Sequence, residues 1–392
     1  MFDYLIIGTG IAGTGLAYFL PASAKIALID MEDQAGYHTT GRSAAFYAET
    51  YGGVAIQPLT TASKSFLRSP PDGFGPVLGH RRGCLYPFGA DQKDKATSLY
   101  AELKSVLPET QMLSAEEIKK RAPHLKNERI IGGILDHDCT DIEVASLHQG
   151  YIRHVRRKGA SFLFGTQFMS AEYTGDHWVI QTNGDTLQAK TLVNAAGAWG
   201  DVVAERAGVP AIGLQPMRRS IAVVGSPRGL PFDPNWPLVI DIDEAFYFKP
   251  EGIGYLISPA DETPSQPCDA QPEIEDLARG IEHFQEATGI PVKRIENKWA
   301  GLRTFAPDRK PVIGFDTTMP AFFWNVGQGG FGIQTSPAWS RTAAAVLEGA
   351  PLPQDLTDFG VDAVSYSPER FLYKKQFGQV NGIPGTAKTL GQ

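Results

Sequence analysis

The chain predicts an α/β fold in two interleaved lobes, of α+β character as a whole, and three observations carry that prediction. The first thirty residues read as strand, glycine turn, helix and strand. The stretch from Pro210 to Phe248 breaks into short β-rich runs parted by Pro, Gly and Asp. From Phe322 a buried run leads through a second glycine-rich loop into a long helix. The first and third patterns describe a parallel sheet with helices, and the second an antiparallel sheet. With 392 residues, 42% of them hydrophobic and 20% charged, the chain is long enough for two cores.

Asp3–Ile7 is the opening strand, followed by Gly8-Thr9-Gly10-Ile11-Ala12-Gly13, a helical run from Thr14 to Leu20, and a second strand, Lys25–Ile29, that ends in Asp30. In such a unit Gly8 permits a tight turn, Gly10 lets the backbone approach a pyrophosphate, and Gly13 lets helix and strand pack closely. The helix N-terminus, with Ile11 and Ala12 in the turn before it, offers free N–H groups to phosphates, and Asp30 can accept from a ribose hydroxyl. A turn of this kind also occurs without a ligand; strand, helix and acid at the required spacing favour a dinucleotide. The motif alone does not choose between NAD and FAD.

Gly36 to Ala45 makes that choice. It is a run of small residues with one arginine, and Thr40, Arg42, Ser43, Ala44 and Ala45 suit close contact with a large flat cofactor and its phosphates. Here the sequence resembles the D-amino-acid oxidase superfamily of FAD-dependent oxidoreductases, in which a T-x-G-R-S-A-A-type segment lies along FAD. Asn194-Ala195-Ala196-Gly197-Ala198-Trp199, Trp299-Ala300-Gly301-Leu302-Arg303 and the loop Gly327 to Ser336 carry the same resemblance. Within the superfamily the likeness is greatest to D-arginine dehydrogenases and runs over nearly the whole chain. It implies a Rossmann-like FAD-binding lobe interleaved with an antiparallel-sheet substrate lobe. Contacts to FAD are implied at Ala196, Gly197 and Gly301, with a backbone contact to the adenine near Phe168. They are also implied at Gly329, Gly330 and Phe331, and at Gly332, Ile333 and Gln334, where a helix start would face the flavin ring. No cysteine stands where some relatives attach the flavin, so non-covalent FAD is expected.

The remaining elements follow in order. Thr60–Leu67 reads as a helix and Pro70-Pro71-Asp72-Gly73 as the exit from the first lobe. Cys84–Pro87 reads as a strand, Ala101 to Ala122 as helices, and Asp136 to Glu143 as a polar, turn-rich re-entry. Ser146–Lys158 is a helix with a solvated basic face, Ser161–Phe164 a strand, and Glu172–Asp176 with Trp178–Ile180 a hairpin-like strand pair. Thr191–Asn194 is a buried strand. Ser220–Val224, Pro237–Ile240 and Ala245–Phe248 form the second-lobe sheet with Glu273–Ala287 helical behind it, and Trp299–Arg303 returns the chain to the first lobe. Phe322–Val326 is the last buried strand, the next helix runs through Leu347, and the tail after Lys375 is expected to be mobile. The lobes are expected to be 1–76, 136–206 and 301–392 for FAD, and 77–135 and 207–300 for substrate.

The resemblance also implies the substrate site. Arg219 and Arg303 match two arginines that clamp a substrate carboxylate, a task suited to a planar, permanently charged fork. Without the resemblance, an arginine in a strand is more often a surface charge. Tyr51 and Tyr247 match tyrosines near the substrate, and the Gly330 carbonyl matches a site that receives the amine. The implied reaction is oxidative deamination of an α-amino acid: hydride passes from Cα to flavin N5, and the imino acid hydrolyses to a 2-oxo acid and ammonia. The departures matter as much. The glutamate that receives the guanidinium in D-arginine dehydrogenase is matched by Gly83, its active-site histidine by Phe46, and a nearby threonine by Ala48; Leu238 and Ile240 match the same region. A neutral or apolar amino acid, of D configuration, or a bulkier secondary amine, is therefore expected instead of D-arginine, unless Glu49 or Arg81 enters the pocket.

A formal net charge of −7 argues against a nucleic-acid surface. Cys84, Cys139 and Cys268 are scattered and odd in number, which fits a reducing compartment with no disulfide framework and no metal site. The chain opens directly on a strand and no apolar run approaches the ~18 residues of a membrane span, so a cytoplasmic location is expected. The sequence does not choose between oxygen and a quinone-like compound as the electron acceptor. Two other readings stand beside the amino-acid one: oxidation of a 2-hydroxy acid, which needs a base and is disfavoured by Phe46, and a flavin subunit passing electrons within a larger assembly.

Overall fold

The structure, a computed structural model, describes residues 1–126, 128–227 and 229–372. The tail after Lys375 lies outside the described residues. Among these, the strands gather into sheets of eight, nine and three.

The first sheet has a parallel centre. Ser161–Leu163, Ile26–Ile29, Phe2–Ile7, Thr186–Asn194 and Phe322–Val326 lie side by side in that order, and Val312–Phe315 closes one edge antiparallel. The hairpin Phe168–Tyr173/Trp178–Thr182 adds to the early half of Thr186–Asn194. The opening strand reads as an unbroken apolar run because both its faces are covered. Ile6 packs into a cluster with Leu16, Val155 and Trp339, while Leu5 and Ile7 pack on the opposite face with Val203 and Trp324. Helix Ile11–Phe19 rests on helices Val144–Arg157 and Gly332–Leu347. That close approach needs the glycines of the turn. Gly8 sits at φ +105°, where a Cβ would lie 2.4 Å from the Ala195 carbonyl oxygen, and a Cβ on Gly13 would lie 2.0 Å from that of Gly8.

The second sheet centres on the long strand Gln215–Gly225, flanked by Asn297–Phe305 on one side and Gly254–Ser258 on the other. From there it runs through Tyr247–Glu251 and Leu238–Ile240 to Cys84–Phe88, Gly132–Asp136 and Gln111–Ser114. Helix Ile274–Thr288 covers it, burying Phe284 against Phe248, Tyr255 and Ile257. One junction departs from the antiparallel expectation: Leu238–Ile240 runs parallel to Cys84–Phe88, because the two come from separate passages of the chain through this lobe.

Three stretches differ from their sequence reading. Ala101–Ala122 holds a strand as well as helices: Lys93–Val106 and Ala115–Arg121 are parted by Gln111–Ser114. Pro108 disfavours helix at the residue before it, and Ser114 with Glu117 forms a capping box that starts the next helix. The polar re-entry holds a short strand, Thr140–Ile142, which forms the third sheet with Phe46–Tyr47 and Leu78–Arg81. Trp299–Arg303 is paired in the second sheet as part of Asn297–Phe305, and first-sheet pairing resumes only at Val312. No helix among the described residues is long and apolar enough to cross a membrane.

Candidate active site

A cleft lined by residues of both large sheets runs from the glycine turn to Arg219 and Arg303.

One end is the glycine turn. Gly8, Gly10, Ile11, Ala12 and Asp30 line it, while Gly13 stays behind as a packing residue. Helix Ile11–Phe19 starts at Gly10 with no side-chain cap, and the Ile11 amide donates to Thr40 Oγ1 at 3.0 Å. Asp30 has a second task. Its Oδ2 accepts from the Thr9 amide at 2.8 Å and its Oδ1 from the Glu32 amide at 3.1 Å, so the acid also clasps the turn. His148, buried behind it, bonds the Thr9 carbonyl through Nε2 at 2.8 Å; burial pushes its pKa down, so the neutral ring donates.

Along the middle lie Thr40, Arg42, Ser43, Ala44 and Ala45, facing Ala196, Gly197 and Gly301. Arg42, expected in the run that contacts the cofactor and its phosphates, lines the cavity. Its guanidinium also ties the cofactor segment to the second sheet's side, donating to the carbonyls of Ala270 at 3.0 Å and Ala300 at 3.1 Å and pairing with Asp269. Phe168 lines the cavity as expected, but its carbonyl already accepts from Arg206 Nη1 at 2.9 Å.

The far end gathers the residues expected at the substrate. Arg219, Tyr247, Arg303, Tyr51, Phe46 and Gly330 all line it. Met217 pairs with Arg303 and Arg219 with Gly301, so the two arginines share one face of adjacent antiparallel strands. Arg303 Nη1 donates to the Tyr51 hydroxyl at 2.9 Å, and a Cβ at Gly330 would lie 3.0 Å from both groups. Burial, then the neighbouring Arg303 charge, lowers the pKa of Arg219. That of Arg303 rises, because Tyr51 and Tyr247 outweigh its burial. Arg219 Nε is buried with no partner in the protein. At the same end, helix Gly332–Leu347 begins without a side-chain cap; Gly329, Gly332, Ile333 and Gln334 line the cavity and Phe331 does not. Gln334 works through its side chain as well, accepting from the Ala48 amide at 3.1 Å and donating to the Tyr51 carbonyl at 3.2 Å.

Gly83, Leu238 and Ile240 are not brought to the cavity. Gly83 makes a turn at φ +74° whose amide donates to Cys139. Leu238 and Ile240 pack with Ala48, Cys84 and Tyr86 beside Tyr247, buttressing the wall instead of forming it. Glu49 and Arg81 stay out too. Glu49 is buried under Lys64 and Thr61, and Arg81 is exposed and paired with Asp138.

The sequence profile of the family described as FAD dependent oxidoreductase, or DAO, matches residues 3–346. The chain belongs to this family. Among curated DAO-like relatives, glycine oxidase of Bacillus licheniformis is 24% identical over 90% of this chain and 94% of its own. The FAD-dependent oxidoreductase domain-containing protein 1 of Mus musculus is 25% identical over 91% and 83%. The fold is shared with glycine oxidase from Geobacillus kaustophilus, with a TM-score of 0.79 at 18% identity covering 91% and 97% of the two chains. L-proline dehydrogenase from P.horikoshii gives a TM-score of 0.79 at 19% identity over 95% and 98%.

As a DAO-family member the protein is FAD-dependent, and the residues present fit that cofactor. Two helix starts without a side-chain cap from their own N-cap residue face one cavity, and the walls between them include the small residues Thr40, Ser43, Ala44, Ala45, Ala196, Gly197 and Gly301. Sequence reasoning missed several lining residues. His38 bonds Glu32 at 2.8 Å and packs its ring 4.6 Å from that of Trp199; both lie inside the motifs that carried the resemblance. Ile221, Leu302 and Gln328 follow from strand and loop geometry, and Arg206 had no signal in the sequence.

Proposed function

We propose that the protein oxidises the amine-bearing carbon of a neutral or apolar amino acid, or of an N-substituted one, with its carboxylate held by Arg219 and Arg303. The single observation that carries this reading is the pair of guanidiniums on one face of the second sheet, one fixed by Tyr51 and the other with a buried, unpartnered Nε. Bound FAD, held non-covalently, supplies the hydride acceptor. The chain's own groups do the rest. The arginines fix the carboxylate, the Gly330 carbonyl accepts from the amine, and Phe46, Ile221 and Tyr247 keep water from the reacting carbon. A substrate entering with a neutral amine needs no strong base, and His38, the histidine among the lining residues, is bonded to Glu32; this favours an amine over a 2-hydroxy acid. The product imine leaves to hydrolyse to a 2-oxo acid and ammonia, or to the 2-oxo acid and the corresponding amine when the substrate is N-substituted.

Asp30 is the carboxylate among the described lining residues, and it belongs to the glycine turn. A cationic side chain beside two arginines would lack a counter-ion, which costs about 3 kcal/mol or more, roughly a hundredfold in affinity. The D configuration comes from the resemblance described above; the reading of a neutral substrate rests on this structure.

The test is anaerobic bleaching of the flavin absorbance by D- and L-amino acids, N-methyl amino acids and 2-hydroxy acids. Bleaching by neutral amino acids, with D-arginine and D-lysine poorer by about a hundredfold, is the expected result. Highest efficiency with a cationic amino acid, or bleaching by 2-hydroxy acids alone, overturns it.

A further inference from the structure

Among the described residues Arg219 donates to one hydrogen-bond partner, and that partner lies outside the cavity lining. Arg219 Nη2 donates to Glu262 Oε1 at 3.3 Å, and Glu262 is about one-third exposed. The contact is built by the backbone. Met217 pairs with Pro264 and Arg218 with Thr263; continued one step, this antiparallel register sets Glu262 opposite Arg219. One step further, Ser220 donates to buried Asp261 through its amide at 2.7 Å and its hydroxyl at 2.8 Å, fixing that register. Glu262 is held from its outer side as well. Arg309 Nη2 donates to both its oxygens at 3.0 Å, and the Arg309 guanidinium lies 3.9 Å from the centre of the Phe305 ring.

The chain Arg309–Glu262–Arg219 therefore runs from the surface to the cavity wall. Two opposite effects of Glu262 can be separated. As a bare negative charge it would weaken carboxylate binding by offsetting Arg219. As a hydrogen-bond acceptor it fixes the plane of Arg219, which lines the cavity, against the repulsion of Arg303.

Resting on the carboxylate-clamp reading above, we propose that Glu262 is a positioning residue that orients Arg219 for the substrate carboxylate, with Arg309 holding Glu262 in place. Orientation outweighs charge, so removing the acceptor weakens carboxylate binding although it makes the site more positive.

The test uses the FAD-loaded protein and benzoate as a plain carboxylate probe, with dissociation constants from calorimetry and thermal midpoints to show that each variant is folded. Glu262→Ala is expected to raise the benzoate dissociation constant about tenfold, and KM for the substrate in step, with kcat changed less than twofold. Glu262→Gln keeps an acceptor and is expected to stay within twofold to threefold of the parent. Arg309→Ala, which leaves Glu262 itself intact, is expected to weaken benzoate by a smaller factor. Equal or tighter binding in Glu262→Ala overturns the proposal, as does loss of kcat without a change in KM. Should the parent bind no benzoate, or bind it no less after Arg303→Ala, the carboxylate clamp itself falls, an outcome separate from the failure of Glu262.

Discussion

At the scale of single residues, the proposed chemistry rests on where two positive charges can be kept together. Arg219 and Arg303 repel each other in a half-buried wall, and Tyr51 and Glu262 are the groups that hold their planes. Removing either fork while substrate still carries its carboxylate leaves that charge desolvated, which costs about 3 kcal/mol. Arg303→Ala is accordingly expected to lower kcat/KM roughly a hundredfold, mostly through KM. Arg303→Lys is expected to recover little, since an ammonium cannot present a fork to the carboxylate and bond Tyr51 together. Steady-state kinetics on the best substrate of the panel checks both. These residues were legible only through the resemblance: nothing in Met217-Arg218-Arg219-Ser220 says which arginine faces inward. Strand alternation decides it, sending Arg219 to the cavity and Arg218 to Glu273 and Asp276. The same logic misled at Gly83, Leu238 and Ile240, which match a family's pocket positions but pack one layer behind Tyr247.

Among the elements, the second sheet carries a buried acid-sensitive group. His124 follows the helix Ala115–Arg121, stacks 4.2 Å from Trp236 and contacts Phe248, with neither ring nitrogen bonded. Burial pulls its pKa down to about 3. Its unfolded pKa is near 6.5, so the unfolded chain binds the extra proton first as pH falls. His124 therefore leaves stability untouched above about pH 6.5 and removes about 1.4 kcal/mol per pH unit between there and about pH 3. His124→Phe is expected to remove that slope, read as the difference between variant and parent in denaturant titrations from pH 7.5 to 4.5. An unchanged slope would mean that the ring finds a partner. Long periodic elements here were legible: Val144–Arg157, Ile274–Thr288 and Gly332–Leu347 fall close to their expected limits. Short strands such as Gln111–Ser114 and Thr140–Ile142 were not, since they are strands only through partners distant in sequence.

Across the whole molecule, the second sheet's strands come from two passages of the chain, and Arg42 joins the cofactor segment to it through Ala270, Ala300 and Asp269. If this tie is its role, Arg42→Lys, which keeps the charge but cannot span three acceptors, is expected to lose FAD on gel filtration nearly as fast as Arg42→Ala. Full retention in the lysine variant would return Arg42 to phosphate binding. That two lobes exist was legible in the shift from helix-forming to β-rich composition. That one arginine serves both was not, because its partners lie more than two hundred residues away. The paired arginines have a last consequence. Their spacing is set by the backbone register of Gln215–Gly225 against Asn297–Phe305, and a slip of one residue would turn either to the opposite face. In the proposed reaction the sheet acts as a ruler for one feature shared by every carboxylate-bearing amine, while Phe46 and Tyr247 stand on other strands, free of that measurement. An engineer seeking a new substrate for this scaffold would leave the ruler alone and redraw those two walls.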